Sequence, residues 1–210
     1  LSGPGYLAFA QSVSSRTATV YVGANDGMLH AFRASDGKEL FAYIPRAVAP
    51  YLNRLTHPDY LHRPYVDAVP AVGEAQVGSS WKTLLVSGMG GGAQGVFALD
   101  VTTPESFGVS NVMWEFTDAD DPQMGDIITQ PVLVKLRMAG STPSYKWFVV
   151  VGSGYNNYRA DGAATTTGAQ AMFFLSVEKQ SSESWQEGTN YYKVSLPVAD
   201  SLIANGLSNP

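Results

Sequence analysis

The chain has 210 residues and sets 13 Lys and Arg against 18 Asp and Glu, for a net charge of −5; this argues against a grip on nucleic acid or anionic membrane, which needs clustered positive charge. With 45% hydrophobic and 15% charged residues the chain is not disordered, and 21 Gly, 12 Pro and 11 Tyr make an all-β composition. The absence of cysteine excludes disulfides, Cys-ligated zinc, iron–sulfur clusters and a Cys nucleophile.

Helix-period stretches are nearly absent. Thr19–Gly23 reads as a short strand, and Ala24-Asn25-Asp26-Gly27 as a hairpin turn, because Asn, Asp and Gly tolerate the positive φ that such turns need. Met28–Phe32 is the return strand, Ser35–Lys38 a second turn and Glu39–Tyr43 a third strand. The same grammar returns in Trp81–Gly88, Gly95–Val101 and Val112–Phe116, and again in Lys146–Gly152, Ala171–Val177 and Tyr191–Leu196. The strand-ending glycines Gly23, Gly88 and Gly152 lie 65 and 64 residues apart. A Pro-led strand precedes the second and third copies, at Val69–Gly73 and Gln130–Val134.

Four strands per repeat is one blade of a β-propeller. The chain is expected to form part of one propeller over 1–210, with blades at roughly 6–45, 69–117 and 130–197. Ordinary blades take about 40–45 residues. The surplus falls in long loops at 46–68, 117–129 and 153–169. Three blades do not close a ring, so the segment reads as about three blades of a longer propeller, with a long-looped β-sandwich as the alternative. Unpaired edges at both cuts are expected to make it fold poorly alone. No apolar run approaches the ~18 residues of a membrane span. The start at Leu1, without Met or signal peptide, suggests a processed product or a fragment.

Few constellations carry chemistry. Gly88–Gly95 lacks the Gly-Lys-Ser/Thr ending of a phosphate loop and leads into a strand, so it reads as a flexible hairpin loop. His57 and His62 bracket Pro58–Leu61 at a spacing that suits neither a helical nor a strand metal site, and His30 reads as a packed histidine with a satisfied ring nitrogen. Asp118, Asp120, Asp121 and Asp126 are candidate calcium ligands, since loop carboxylates suit a hard cation. Their spacing is not that of an EF-hand, and the alternative is a turn in which Asp side chains cap backbone amides. No Gly-x-Ser-x-Gly nucleophile elbow is present. Trp81, Trp114 and Trp147 fall at strand edges of successive repeats and read as packing between blades.

The run Tyr21–Phe32 followed by Asp36–Leu40 resembles a quinoprotein-type propeller repeat. With His62–Asp67 leading to Pro70–Gly73, Trp81–Val86 running to Gly95–Thr102, Trp114–Asp118 and Gly152–Asn156, the ordered set is similar to the C-terminal propeller of the PilC/PilY family of type IV pilus biogenesis factors and tip adhesins. Ala68 and Glu74 depart from the Gly and Asp common there. The resemblance implies export to the outer membrane, pilus tip or cell surface. It also implies a role in pilus assembly, association with minor pilins in a tip complex, and adhesion to a host or abiotic surface receptor. The family's calcium loop, an acidic EF-hand-like run in a later blade, has no counterpart here, so any calcium is expected mainly in a part of the parent outside this chain.

The leading expectation is a non-enzymatic binding platform, since loops on a rigid scaffold carry recognition. Loop 46–68 offers Tyr51, Arg54, Tyr60 and Arg63, and loop 153–169 offers Tyr155, Asn156, Tyr158 and Arg159, residue types that suit interfaces. The runner-up is a quinoprotein-like dehydrogenase binding pyrroloquinoline quinone. A third reading is a scaffold for outer-membrane assembly.

Overall fold

The computed structural model describes residues 3–140, 142, 144–157, 159–160, 163–164 and 170–195. A short helix α1 (Tyr6–Ser12) leads into three sheets. The first holds β1 (Thr19–Gly23), β2 (Leu29–Arg33) and β3 (Glu39–Tyr43). The second holds β4 (Ala71–Val77), β5 (Ser80–Gly88), β6 (Gly95–Asp100) and β7 (Val112–Thr117). The third holds β8 (Val132–Met138) and β9 (Ser144–Gly152), then β12 (Ala171–Ser176) and β13 (Tyr191–Ser195). A two-stranded ribbon, β10 (Arg159–Ala160) with β11 (Ala163–Ala164), lies between β9 and β12 in sequence. All strand pairings within these sheets are antiparallel. These are antiparallel blades of an open, partial propeller.

The turns form for the reasons the residue types supply. Gly27 and Gly37 take φ of 96° and 72°, and the Asp26 and Asp36 carboxylates accept the amides of Met28 and Lys38. Register makes β1, β5 and β9 equivalents, each ending at its repeat glycine. The first sheet therefore lacks a counterpart of β4 and β8 among the described residues, and Tyr6–Ser12, at the expected start of the first blade, is helical. That helix buries no side chain fully. It is held instead by Tyr6, whose hydroxyl donates to Glu74 at 2.6 Å and whose ring packs against that of Trp81 in an edge-type contact, with centroids 4.8 Å apart.

The middle blade is apolar on both faces. Leu84, Val86, Val96 and Ala98 face blade 3 and pack with Val149, Val151, Phe173 and Leu175. Leu85, Phe97 and Leu99 face blade 1 and pack with Leu29, Tyr65 and Val66. This is why β5 and β6 read as continuous apolar runs rather than alternating ones. The tryptophans pack across the second seam: Trp81 meets Trp147 at 5.8 Å and Trp114 meets Trp185 at 5.2 Å.

The linkers cross back over the blades they leave. A methyl added at Gly23 would lie 2.4 Å from the Val66 carbonyl oxygen, and one at Gly88 would lie 2.0 Å from that of Ile127. The repeat glycine is thus the place where backbone passes over backbone.

Candidate partner-binding loops

Loop 46–68 is tied down at both ends. Its first amides, Arg46 and Ala47, donate to the Glu115 carboxylate at 2.6 and 3.4 Å, as does the Tyr43 hydroxyl at 2.6 Å. Burial, then the Glu115 charge, pushes the Tyr43 hydroxyl above the usual tyrosine range. At the far end Tyr65 is fully buried. Its amide donates to Asn25 and its hydroxyl to the Tyr51 carbonyl. Between these anchors runs a 3₁₀ helix, Ala49–Thr56.

The glycine segment 88–95 is a hairpin connection as expected, joining β5 to antiparallel β6, but it is closely packed. Gly90 and Gly92 are buried, and a methyl at Gly92 would lie 1.7 Å from the Tyr65 carbonyl oxygen. The Asp67 carboxylate accepts the Gly91 amide at 3.0 Å. Glycine is needed there because two loops pack backbone to backbone.

An open groove of about 520 Å³ lies between the two loops, lined by Arg54, His57, Asp59, Tyr60, Leu61, His62, Arg63 and Gly91. Three of the four candidates in loop 46–68 line it, and Tyr51 lies behind. The Arg54 and Arg63 guanidinium carbons sit 5.1 and 4.4 Å from the centre of the one Tyr51 ring. Arg63 also reaches the Tyr65 ring at 5.4 Å and donates to the Gly92 carbonyl at 2.8 Å. It is therefore partly a structural residue, whereas Arg54 is exposed.

The second loop is stitched to the 117–129 linker. The Asp126 and Tyr155 backbones exchange hydrogen bonds at 2.6 and 3.0 Å. Asn156, at φ 56°, donates to the Asp126 carboxylate at 2.6 Å, while its carbonyl accepts the Gln94 side-chain amide. Asn156 thus serves linker packing, and Tyr155 keeps 36% of its surface exposed. Tyr158 and the Arg159 side chain lie outside the described residues.

The acidic segment is drawn apart by protein partners. Asp120 accepts the Thr117 amide, as a capping turn would. Asp121 is 2% exposed; it accepts from Lys193 at 2.7 Å, the Tyr191 hydroxyl at 3.0 Å and the Gln123 amide. Burial, then that carboxylate, pushes the Tyr191 hydroxyl up. Asp118 follows β7 with its amide on the Gln94 carbonyl. Among the described residues no group of three or more His, Cys, Asp or Glu is placed to hold a metal ion. No described helix is long and apolar enough to cross a membrane.

Sequence reasoning missed Glu115 and Asp121 as anchors. The signal was a carboxylate inside an otherwise apolar strand, Val112–Phe116, and a Lys at position 193 of a Tyr-rich one.

Residues 2–187 match the family described as the PilY1 beta-propeller domain. The chain is 38% identical over 174 residues to a type IV pilus biogenesis factor PilY1 homolog of Xylella fastidiosa, covering 82% of this chain and 11% of that protein. It is 35% identical over 208 residues to type IV pilus biogenesis factor PilY1 of Pseudomonas aeruginosa, covering 98% of this chain and 16% of that protein. The crystal structure of the Pseudomonas aeruginosa PilY1 C-terminal domain superposes with a TM-score of 0.71 at 32% identity, over 97% of this chain and 35% of that one. The chain thus spans a small part of these relatives. Nothing among them supports the quinoprotein dehydrogenase reading.

Proposed function

The chain belongs to the PilY1 β-propeller family, and from that premise we propose that it is a non-enzymatic recognition segment of a type IV pilus biogenesis factor. Its place is exported, at the outer membrane, pilus tip or cell surface. Its partners are minor pilins of a tip complex and a host or abiotic surface receptor. One observation supports this reading above others. Loop 46–68 is fixed to rigid blades through Glu115 and Tyr65 while Arg54, His57, Leu61 and His62 face solvent. A held loop with an exposed rim suits binding, because little ordering entropy is lost on contact. Immunogold labelling of native cells and sheared pili, with an antibody to this segment, tests the reading. Label at pilus tips or in the sheared fraction supports it. Label confined to the periplasm overturns it.

A further inference from the structure

Two arginines among the described residues have carboxylate partners. Arg16 meets Glu74 at 3.8 Å, and Arg33 meets Asp36 at 3.0 Å. Arg54 and Arg63 differ: among the described residues neither has a carboxylate within ion-pair distance, yet both are gathered on one tyrosine ring. Two like charges on a shared ring repel, and an anion bound between them relieves that repulsion. Arg63 is fixed by the Gly92 carbonyl and the Tyr65 ring, so half of the anion site is pre-organised.

The rest of the groove defines the ligand further. The Asp59 amide donates to His57 Nδ1 at 3.2 Å, which leaves the proton of the neutral ring on Nε2 as a donor. The Tyr60 ring stands edge-on to His62 at 6.3 Å, and its hydroxyl lies 3.4 Å from His62 Nδ1. The Asp59 carboxylate has no ion pair among the described residues and is exposed. The volume of about 520 Å³ falls within the range of small-ligand sites.

We propose that this groove binds an acidic saccharide, with a sulfate or carboxylate held between Arg54 and Arg63. Bidentate guanidinium forks suit such oxyanions. Asp59 accepts sugar hydroxyls, and the Tyr60 ring offers a flat face to sugar C–H groups. An acidic peptide is the poorer occupant, because repeated carboxylates meet Asp59 and no free strand edge in the groove pairs with its backbone. The proposal rests on the recognition reading above and names a ligand class for it.

The test is calorimetric titration of the full-length protein with a sulfated disaccharide, N-acetylneuraminic acid, inorganic sulfate and an acidic hexapeptide. Binding of one of the two sugars, weakened about tenfold or more by Arg54→Gln and left intact by Arg33→Gln, is the expected result. The preferred sugar tells sulfate from carboxylate. Inorganic sulfate binding as tightly as either sugar overturns the saccharide assignment, as does tighter binding of the peptide. No binding by any probe, or no effect of Arg54→Gln, overturns the site. Arg54 is exposed and outside the sheets, and the circular dichroism of the variant confirms its fold. Pilus labelling is scored separately: label at tips without sugar binding removes this proposal alone, and sugar binding without label removes the pilus reading alone.

Discussion

His30 occupies in blade 1 the register position that Phe97 occupies in blade 2. Val22 pairs with His30 one residue before Gly23, as Ser87 pairs with Phe97 one residue before Gly88. Phe173 holds the same place in blade 3, and both phenylalanines are fully buried. His30 instead sets Nδ1 at 2.6 Å from Glu39 and Nε2 at 2.9 Å from Asp26, and stacks on Phe32. On the same face Val20 and Val22 are 53% and 43% exposed, where their counterparts Leu85 and Val149 are fully buried and Val151 nearly so. Blade 1 therefore turns toward any neighbour a mixed face, part apolar and part charged.

That arrangement predicts a pH dependence. The Glu39 hydrogen bond first, and Asp26 with it, raises the His30 pKa above the ordinary histidine value against the lowering effect of burial. A raised pKa stabilises the fold below the unfolded histidine value, and the contribution fades as pH rises through the folded one. Both carboxylates are about half exposed, so the effect is about 0.5–1 kcal/mol. Urea midpoints of the protein and of His30→Ala are expected to differ more near pH ~5.5 than near pH ~8.5. A deficit that grows with pH would contradict the assignment.

Asp121→Ala removes a carboxylate that joins the 117–129 linker to β13. Lys193 would keep only the longer Glu187 contact at 3.8 Å, and the Tyr191 hydroxyl would lose its acceptor. The expected loss is about 2–3 kcal/mol. Asp121→Asn keeps acceptors without the charge and is expected to fall between, as read by denaturant unfolding. Equal stability of all three forms would show that the cluster contributes nothing.

Gly88→Ala places a methyl 2.0 Å from the Ile127 carbonyl oxygen, so the linker has to move. A loss of more than about 2 kcal/mol is expected. Gly108 has nothing within 4 Å of the same added methyl and an extended φ of −156°. Gly108→Ala is therefore expected to be neutral, or better by about 0.4–1 kcal/mol. Thermal melts of the two variants side by side decide the matter.

Glu115→Ala leaves the Tyr43 hydroxyl and the Arg46 and Ala47 amides without their shared acceptor. About 2–3 kcal/mol is expected to be lost. Faster tryptic cleavage after the exposed Arg46 is the more local readout. Unchanged cleavage would mean that Tyr65 alone holds the loop.

The strands of blades 2 and 3 were legible because blade interiors demand apolar runs, and turns demand Asp-Gly or Asn-Asp-Gly. The opening helix was not, because Tyr6–Ser12 has no buried face to create a helical period. Among candidate binders, residue type marked Arg54 and Arg63 alike. What separates them is the Gly92 carbonyl, 29 residues downstream of Arg63, and no local pattern encodes that distance. Asn156 reads as a surface polar residue, yet its amide and carbonyl join Asp126 and Gln94. Long-range pairings of this kind belong to the fold and not to any window of sequence.

The crossing of Val66 over Gly23, repeated by Ile127 over Gly88, bears on how such a chain can be inherited. A stretch running from one repeat glycine to the next contains both the bare backbone that receives a linker and the linker that seats on the blade behind. Duplicating that stretch delivers a blade already fitted to its neighbour at either side. Between the seated carbonyl and the next sheet, chain length is free of the seam geometry. Such loops can lengthen and diverge, generation by generation, while the blade architecture stays as it was.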